Sequence, residues 1–173
     1  MSLFVVSTIL LVPLAALIAY YDVRYRRIPN AFVLATLGGG LGMNAILNGW
    51  HGVSSSVAGC AFAFGLMFML HVFGAMGAGD VKLFAAIGAV TGIQLVLPTF
   101  FVVILTGGLL AVVSIVRAGI VITTMQRVLQ ILVGLLPGWP MPKFAVPADR
   151  KHTIPYGVAI TMGSIISVLI FRI

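Results

Sequence analysis

The sequence predicts an all-α, polytopic bundle of about six transmembrane helices, with one further amphipathic helix at the membrane interface. Three observations predict it. Of the 173 residues, 61% are hydrophobic and only 8% charged, and the mean hydropathy is +1.22, whereas soluble domains carry about 25% charged residues. The apolar residues fall into runs of roughly 20, the length a helix needs to cross a bilayer. The basic residues also alternate by loop. Placing Arg24, Arg26 and Arg27 in the first connection puts Lys82, Arg117, Arg127, Lys143, Arg150 and Lys151 on the same side, with only Arg172 opposite. The positive-inside rule makes that side the cytoplasm and puts the N-terminus outside.

The elements follow in order. The first helix, near 3–21, is expected to be retained, because no lysine or arginine precedes its apolar run as in a secretory signal peptide. The second and third, near 31–48 and 53–74, are separated by an expected turn around Asn48, Trp50 and His51. The fourth and fifth, near 82–94 and 96–116, are divided near Gln94 to Pro98, since one helix over both would be much longer than a bilayer is thick. The segment 117–136 carries Arg117, Gln126, Arg127 and Gln130 among apolar residues, the composition of an amphipathic helix lying in the interface. A seventh span there would carry Lys143, Arg150 and Lys151 to the outer side, against the charge rule, and the sequence leaves the choice open. Pro137, Pro140, Pro142 and Pro147 interrupt regular structure before the last helix, near 155–171. One domain over 1–173 is expected, with about 117–153 at the cytoplasmic side.

Composition narrows the function. The net charge of +7 has no soluble basic stripe to carry nucleic acid, so its distribution is read as topology. Cys60 is the single cysteine and can form neither an internal disulfide nor a cysteine-based zinc cluster. The chain has no glutamate, and its only aspartates are Asp22, Asp80 and Asp149. Asp149, beside Arg150 and Lys151 in a Pro-rich loop, reads as a solvated acid. Asp22 follows the first apolar run and Asp80 precedes the fourth, so both are expected at one membrane depth on the cytoplasmic side. Acids beside hydrocarbon are functional candidates. Two that converge share a proton, one acting as general base for water and the other as general acid, with no metal or organic cofactor required. Gly74, Gly77 and Gly79 before Asp80 permit close approach and unusual backbone angles. Lys82, about 200° around a helix from Asp80, is not expected to pair with it directly; it anchors a helix end or tunes the acids.

These residues resemble the type IV prepilin peptidases, membrane aspartic proteases of the GxGD class. Three stretches carry the resemblance: Asp22 to Asn30, with Ile28-Pro29-Asn30 after the acid; Gly77-Ala78-Gly79-Asp80-Val81-Lys82; and Ile154-Pro155-Tyr156-Gly157 at the head of the last helix. The resemblance implies Asp22 and Asp80 as the catalytic pair. It implies Gly77, Gly79, Lys82, Pro29, Asn30, Pro155 and Gly157 as shaping the site, although Pro29 and Pro155 are explained equally by helix starts. Val158 departs from the pattern, since many members have proline after the glycine; the departure bears on subfamily more than on chemistry. The paired cysteines and N-methyltransferase region of larger bacterial members are absent, which resembles the short peptidase-only branch of tight-adherence (Flp) pilus systems; archaeal preflagellin peptidases stay open. The implied activity is removal of the short cytoplasmic leader from a prepilin or pseudopilin with a hydrophobic helix, in the bacterial inner membrane among its lipids. A proton- or ion-coupled transporter using the same aspartates is the alternative from another class.

Overall fold

The computed structural model describes residues 3–73, 76–134 and 156–171. Its elements are α1 (Leu3–Tyr25), α2 (Asn30–Val72), α3 (Ala78–Thr91), α4 (Ile93–Arg117), α5 (Val121–Gly134) and α6 (Tyr156–Phe171), with no strand among the described residues. They form two compact units, one of Met1–Gly107 with Pro155–Ile173 and one of Gly108–Ile154.

Apolar runs locate the helices but not their ends, because backbone hydrogen bonding continues past the edge of the hydrocarbon. The helix α1 runs on to Tyr25 and α3 begins at Ala78, so each acid lies inside a terminal helical turn and not beyond it. The expected turn at Asn48, Trp50 and His51 is a kink instead. The helix α2 has 43 residues, about 64 Å of helix against a core of ~30 Å, and it bends at Gly49, whose φ of 56° and ψ of −138° suit glycine alone. The break between the fourth and fifth spans falls at Gly92, φ 73°, before the expected window. Pro98 is accommodated inside α4, where its ring forfeits one bond to the carbonyl of Gln94.

In the first unit the helices meet through narrow polar or small-residue stripes. The buried face of α1 is Leu11, Ala15, Ile18 and Asp22, the spacing of a single helical face. After its kink, α2 buries Gly52, Ser56, Gly59, Ala63 and Met67, a small-residue seam that lets backbones approach in a membrane bundle. The central element is α3, whose residues 83–91 are all buried; Phe84, fully buried, meets the ring of Phe100 at 5.9 Å. By contrast Ile46, Trp50, Phe73 and Leu105 are more than 70% exposed, which suits contact with lipid and not with water.

Fourteen residues make α3 about 21 Å long, short of the hydrocarbon thickness. Its last carbonyls therefore need protein donors. The Asn44 amide nitrogen lies 3.1 Å from the Ala89 carbonyl and 3.2 Å from that of Val90, and Ser56 Oγ donates to Ala89 at 2.7 Å. Across the break, the Ile93 N–H donates to Ser55 Oγ at 3.4 Å.

The second unit holds the end of α4 and the amphipathic α5, where Val121, Ile122, Met125 and Leu129 share one face and Thr123 and Gln126 the other. The join is a Schellman turn: Gly119 has φ 66°, its N–H bonds the Val116 carbonyl, and Ile120 N–H reaches Ile115 at 3.3 Å.

The seam between α2 and α3 can be tested at Gly88, where a Cβ would come within 2.6 Å of the Ala63 Cβ and 2.5 Å of the Gly59 carbonyl. Gly88→Val is expected to cost about 3 kcal/mol or more, read as a lower melting temperature in detergent. Gly65→Ala, with nothing within 4 Å, should melt like the unaltered protein. Equal melting of the two variants would refute this packing.

Candidate active site

Asp22 is carried on the buried face of α1, three turns along from Leu11. The αL conformation of Arg26, φ 51°, closes that helix, with the Arg26 N–H bonded to the Asp22 carbonyl at 2.9 Å. The turn folds the guanidinium back so that its charge acts on the carboxylate. Tyr21 then meets Phe32 edge to face at 5.2 Å, joining the end of α1 to the start of α2. Between them Pro29, with φ −62° and ψ 132°, is the cap of α2 and Asn30 its exposed first residue. This turn presents Ile28 to Gly79, where a Cβ would stand 3.8 Å from the Ile28 side chain.

The second anchor of Asp22 is the beginning of α6. The Val158 N–H donates to Asp22 Oδ2 at 3.3 Å, and the amide of Gly157 also acts on the carboxylate. A helix N-terminus is a natural seat for an anion, since its first amides have no partner within the helix. Close seating needs glycine: a Cβ on Gly157 would lie 2.7 Å from Asp22 Oδ2. Asp80 stands in the first turn of α3 and accepts the N–H of Gly77 on Oδ2 at 3.2 Å. Gly77 has an ordinary extended backbone, φ −79° and ψ 152°, so close approach to the carboxylate, and not an unusual torsion, is what its missing side chain permits.

Both acids lie outside the apolar stretches 3–21 and 82–94. Burial pushes the Asp80 carboxyl up to about 6, with the Gly77 amide pulling down and the charge of Asp22 pushing further up. Burial raises Asp22 as well, opposed by the amides of Gly157 and Val158 and by Arg26. The charge of Asp22 is felt at Asp80, and the contact of Ile28 with Gly79 brings the end of α1 to the turn that carries Asp80. Such a pair titrates as one unit and can hold a single proton between its members. Below them, on the same face of α1, a narrow crevice is lined by Leu11, Ala15, Ile18, Leu83 and Ile87 with Thr161 and Ser164.

The structure thus brings Asp22, Asp80, Gly77, Gly79 and Gly157 together, with Pro29 and Asn30 shaping the turn that holds Ile28. Lys82 is exposed. Pro155 and Asp149 lie outside the described residues. No group of three potential metal-binding side chains occurs among the described residues. Sequence reasoning passed over two contributors, Ile28 and the amide of Val158. Neither carried a signal in the sequence, since one is an apolar side chain and the other offers only a backbone N–H.

Comparison with known proteins agrees with the motifs. A profile described as the type IV leader peptidase family matches residues 9–112. A Bacillus subtilis (strain 168) protein, the prepilin leader peptidase/N-methyltransferase, is 31% identical over 111 residues, 62% of this chain and 44% of that protein. This chain therefore spans less than half the length of that relative. No solved structure matches.

Replacing Val158 by proline removes one donor in the first turn of α6, where proline is otherwise tolerated. The titration midpoint of Asp22, followed through its carboxyl carbon resonance, is expected to rise by about half a pH unit. An unchanged midpoint would show that the α6 amide does not stabilise the ionised acid.

Proposed function

Because the chain belongs to the type IV leader peptidase family, we propose that it is a membrane-embedded aspartic endopeptidase whose catalytic pair is Asp22 and Asp80. The observation that carries the reading is the convergence of three distant stretches, Asp22 bonded to the head of α6 and Ile28 seated on Gly79 beside Asp80, so that the charge of Asp22 reaches Asp80. The ion-carrier alternative fits less well, because transport sites usually lie near the bilayer midplane and both acids here are in terminal turns. The substrate is a prepilin or pseudopilin, with its short polar leader in the cytoplasm and its hydrophobic helix in the inner membrane beside the crevice. The peptidase-only, Flp-type role belongs to this proposal; the methyltransferase activity in the name of the Bacillus protein does not.

The shared proton is weighted toward Asp80. Asp22 has two amides and Arg26 favouring its ionised form, while Asp80 has one amide and faces the charge of Asp22. Asp22 takes a proton from water as the water oxygen attacks the scissile carbonyl carbon, and Asp80 gives its proton to the carbonyl oxygen. In the collapse of the resulting gem-diol the C–N bond breaks. The leaving nitrogen takes the proton held by Asp22, and a gem-diol hydroxyl returns one to Asp80, restoring the starting state.

Purified protein in lipid should cleave a prepilin, and Asp22→Asn or Asp80→Asn should each lower kcat by about 10³-fold or more; turnover retained in both variants would remove the mechanism. The dependence of kcat/KM on pH should be bell-shaped, falling on the alkaline side as Asp80 loses its proton near 6. The same raised value fixes the sign for stability: the contribution of Asp80 is complete below the ordinary carboxylate range and lost as pH rises through about 6. Asp80→Asn should therefore melt above the unaltered protein at pH 8, by a margin that shrinks toward pH 4, which separates inactivity from unfolding.

A further inference from the structure

His71 lies in the last turn of α2 and reads from sequence as an interfacial residue. Its ring is partly buried and approaches Phe68 at 6.2 Å between ring centres, and Phe68 in turn stacks on Phe64 at 5.4 Å. The Nδ1 atom stands 2.8 Å from the Met76 carbonyl oxygen. A carbonyl can only accept, so Nδ1 carries the proton in this contact. The Met76 carbonyl and the Gly77 N–H are the two ends of one planar peptide group, and that N–H is the donor to Asp80 Oδ2.

We infer that His71 is a positioning residue for Asp80, acting through the Met76–Gly77 peptide. The imidazole holds one end of the peptide and the carboxylate the other, so the last turn of α2 sets where the Gly77 N–H points. A bond donated to the carbonyl also polarises the amide and makes its N–H a stronger donor, as in any chain of hydrogen bonds. The Met76 side chain packs on the apolar core and holds the same peptide from another direction. Glycine at 77 eases this approach, since a Cβ there would lie 3.2 Å from Asp80 Oδ2 and press it back by a few tenths of an ångström. Among the described residues the charge felt at Asp80 is that of Asp22, and Lys82 on the same helix is exposed.

The catalytic consequence rests on the peptidase reading, whereas the coupling of His71 to Asp80 does not, and the experiment separates them. The chain has three aspartates and no glutamate, so carboxyl-carbon labelling of aspartate gives three side-chain resonances, assigned with Asp22→Asn and Asp149→Asn. In His71→Phe, which keeps a planar ring but cannot donate, the Asp80 midpoint should move upward by about half a pH unit. The alkaline limb of prepilin cleavage should move with it, and kcat should fall about tenfold. His71→Asn places an amide N–H at the position of Nδ1 and should restore both midpoint and limb. An Asp80 midpoint identical in His71→Phe and the unaltered protein overturns the inference. So does a midpoint that His71→Asn fails to restore, which would reduce His71 to packing. Absence of prepilin cleavage by the unaltered protein would sink the peptidase reading while leaving the midpoint measurement to decide the coupling.

Discussion

The contact on which the site depends is the one between a carboxylate near the end of the first helix and the opening amides of the last, 136 residues further along the chain. It does two things at once. It places α6 against α1, with Gly157 the permissive point, and it gives the buried Asp22 polar partners. Desolvation alone would drive this acid toward its neutral form. The amides of α6 and the guanidinium of Arg26 oppose that, and the balance leaves Asp22 better able than its neighbour to hold a charge.

The same accounting for polar groups runs through the first unit. At the break between α3 and α4, Asn44, Ser55 and Ser56 of another helix meet the freed backbone groups, and between α4 and α6 the hydroxyls of Thr99 and Ser167 meet at 2.8 Å. Small residues make these approaches practicable. A bundle without water inside has little hydrophobic drive between helices, so close backbone packing and satisfied polar groups must supply the specificity. The placement of α3, and with it Asp80, follows from that seam as much as from the glycines immediately before the acid.

Around both carboxyls the protein works with main-chain groups. Asp22 is held by amides of α6, and Asp80 by the amide of Gly77, whose peptide is gripped on its other side by His71. Amides carry no net charge and do not titrate, so they bias the pair without adding a competing proton. Membership of the leader peptidase family gives this arrangement its chemical meaning. Gly77 and Gly157 are places where a side chain would crowd a carboxylate against the backbone that holds it.

Much of this was legible in one dimension. Hydropathy and basic-residue placement indicated an all-helical membrane bundle, because length and polarity are enforced by the bilayer and not by partners. The scarcity of acids singled out Asp22 and Asp80, and the order of three short motifs pointed to the family. Helix ends and the break at Gly92 were misplaced, and the interruption at Gly49 was rightly located but read as a turn where it is a kink, since those depend on torsions and neighbours that hydropathy does not register. Val158 and His71 could not have been weighted from sequence, because one contributes only a backbone N–H and the other acts through a peptide group it does not own. By itself, then, the sequence determined the solvent, the element type and the candidate acids, all consequences of local composition. Only the tertiary structure decided which amides meet which oxygen, because hydrogen bonds form between groups that folding, and not chain order, makes adjacent.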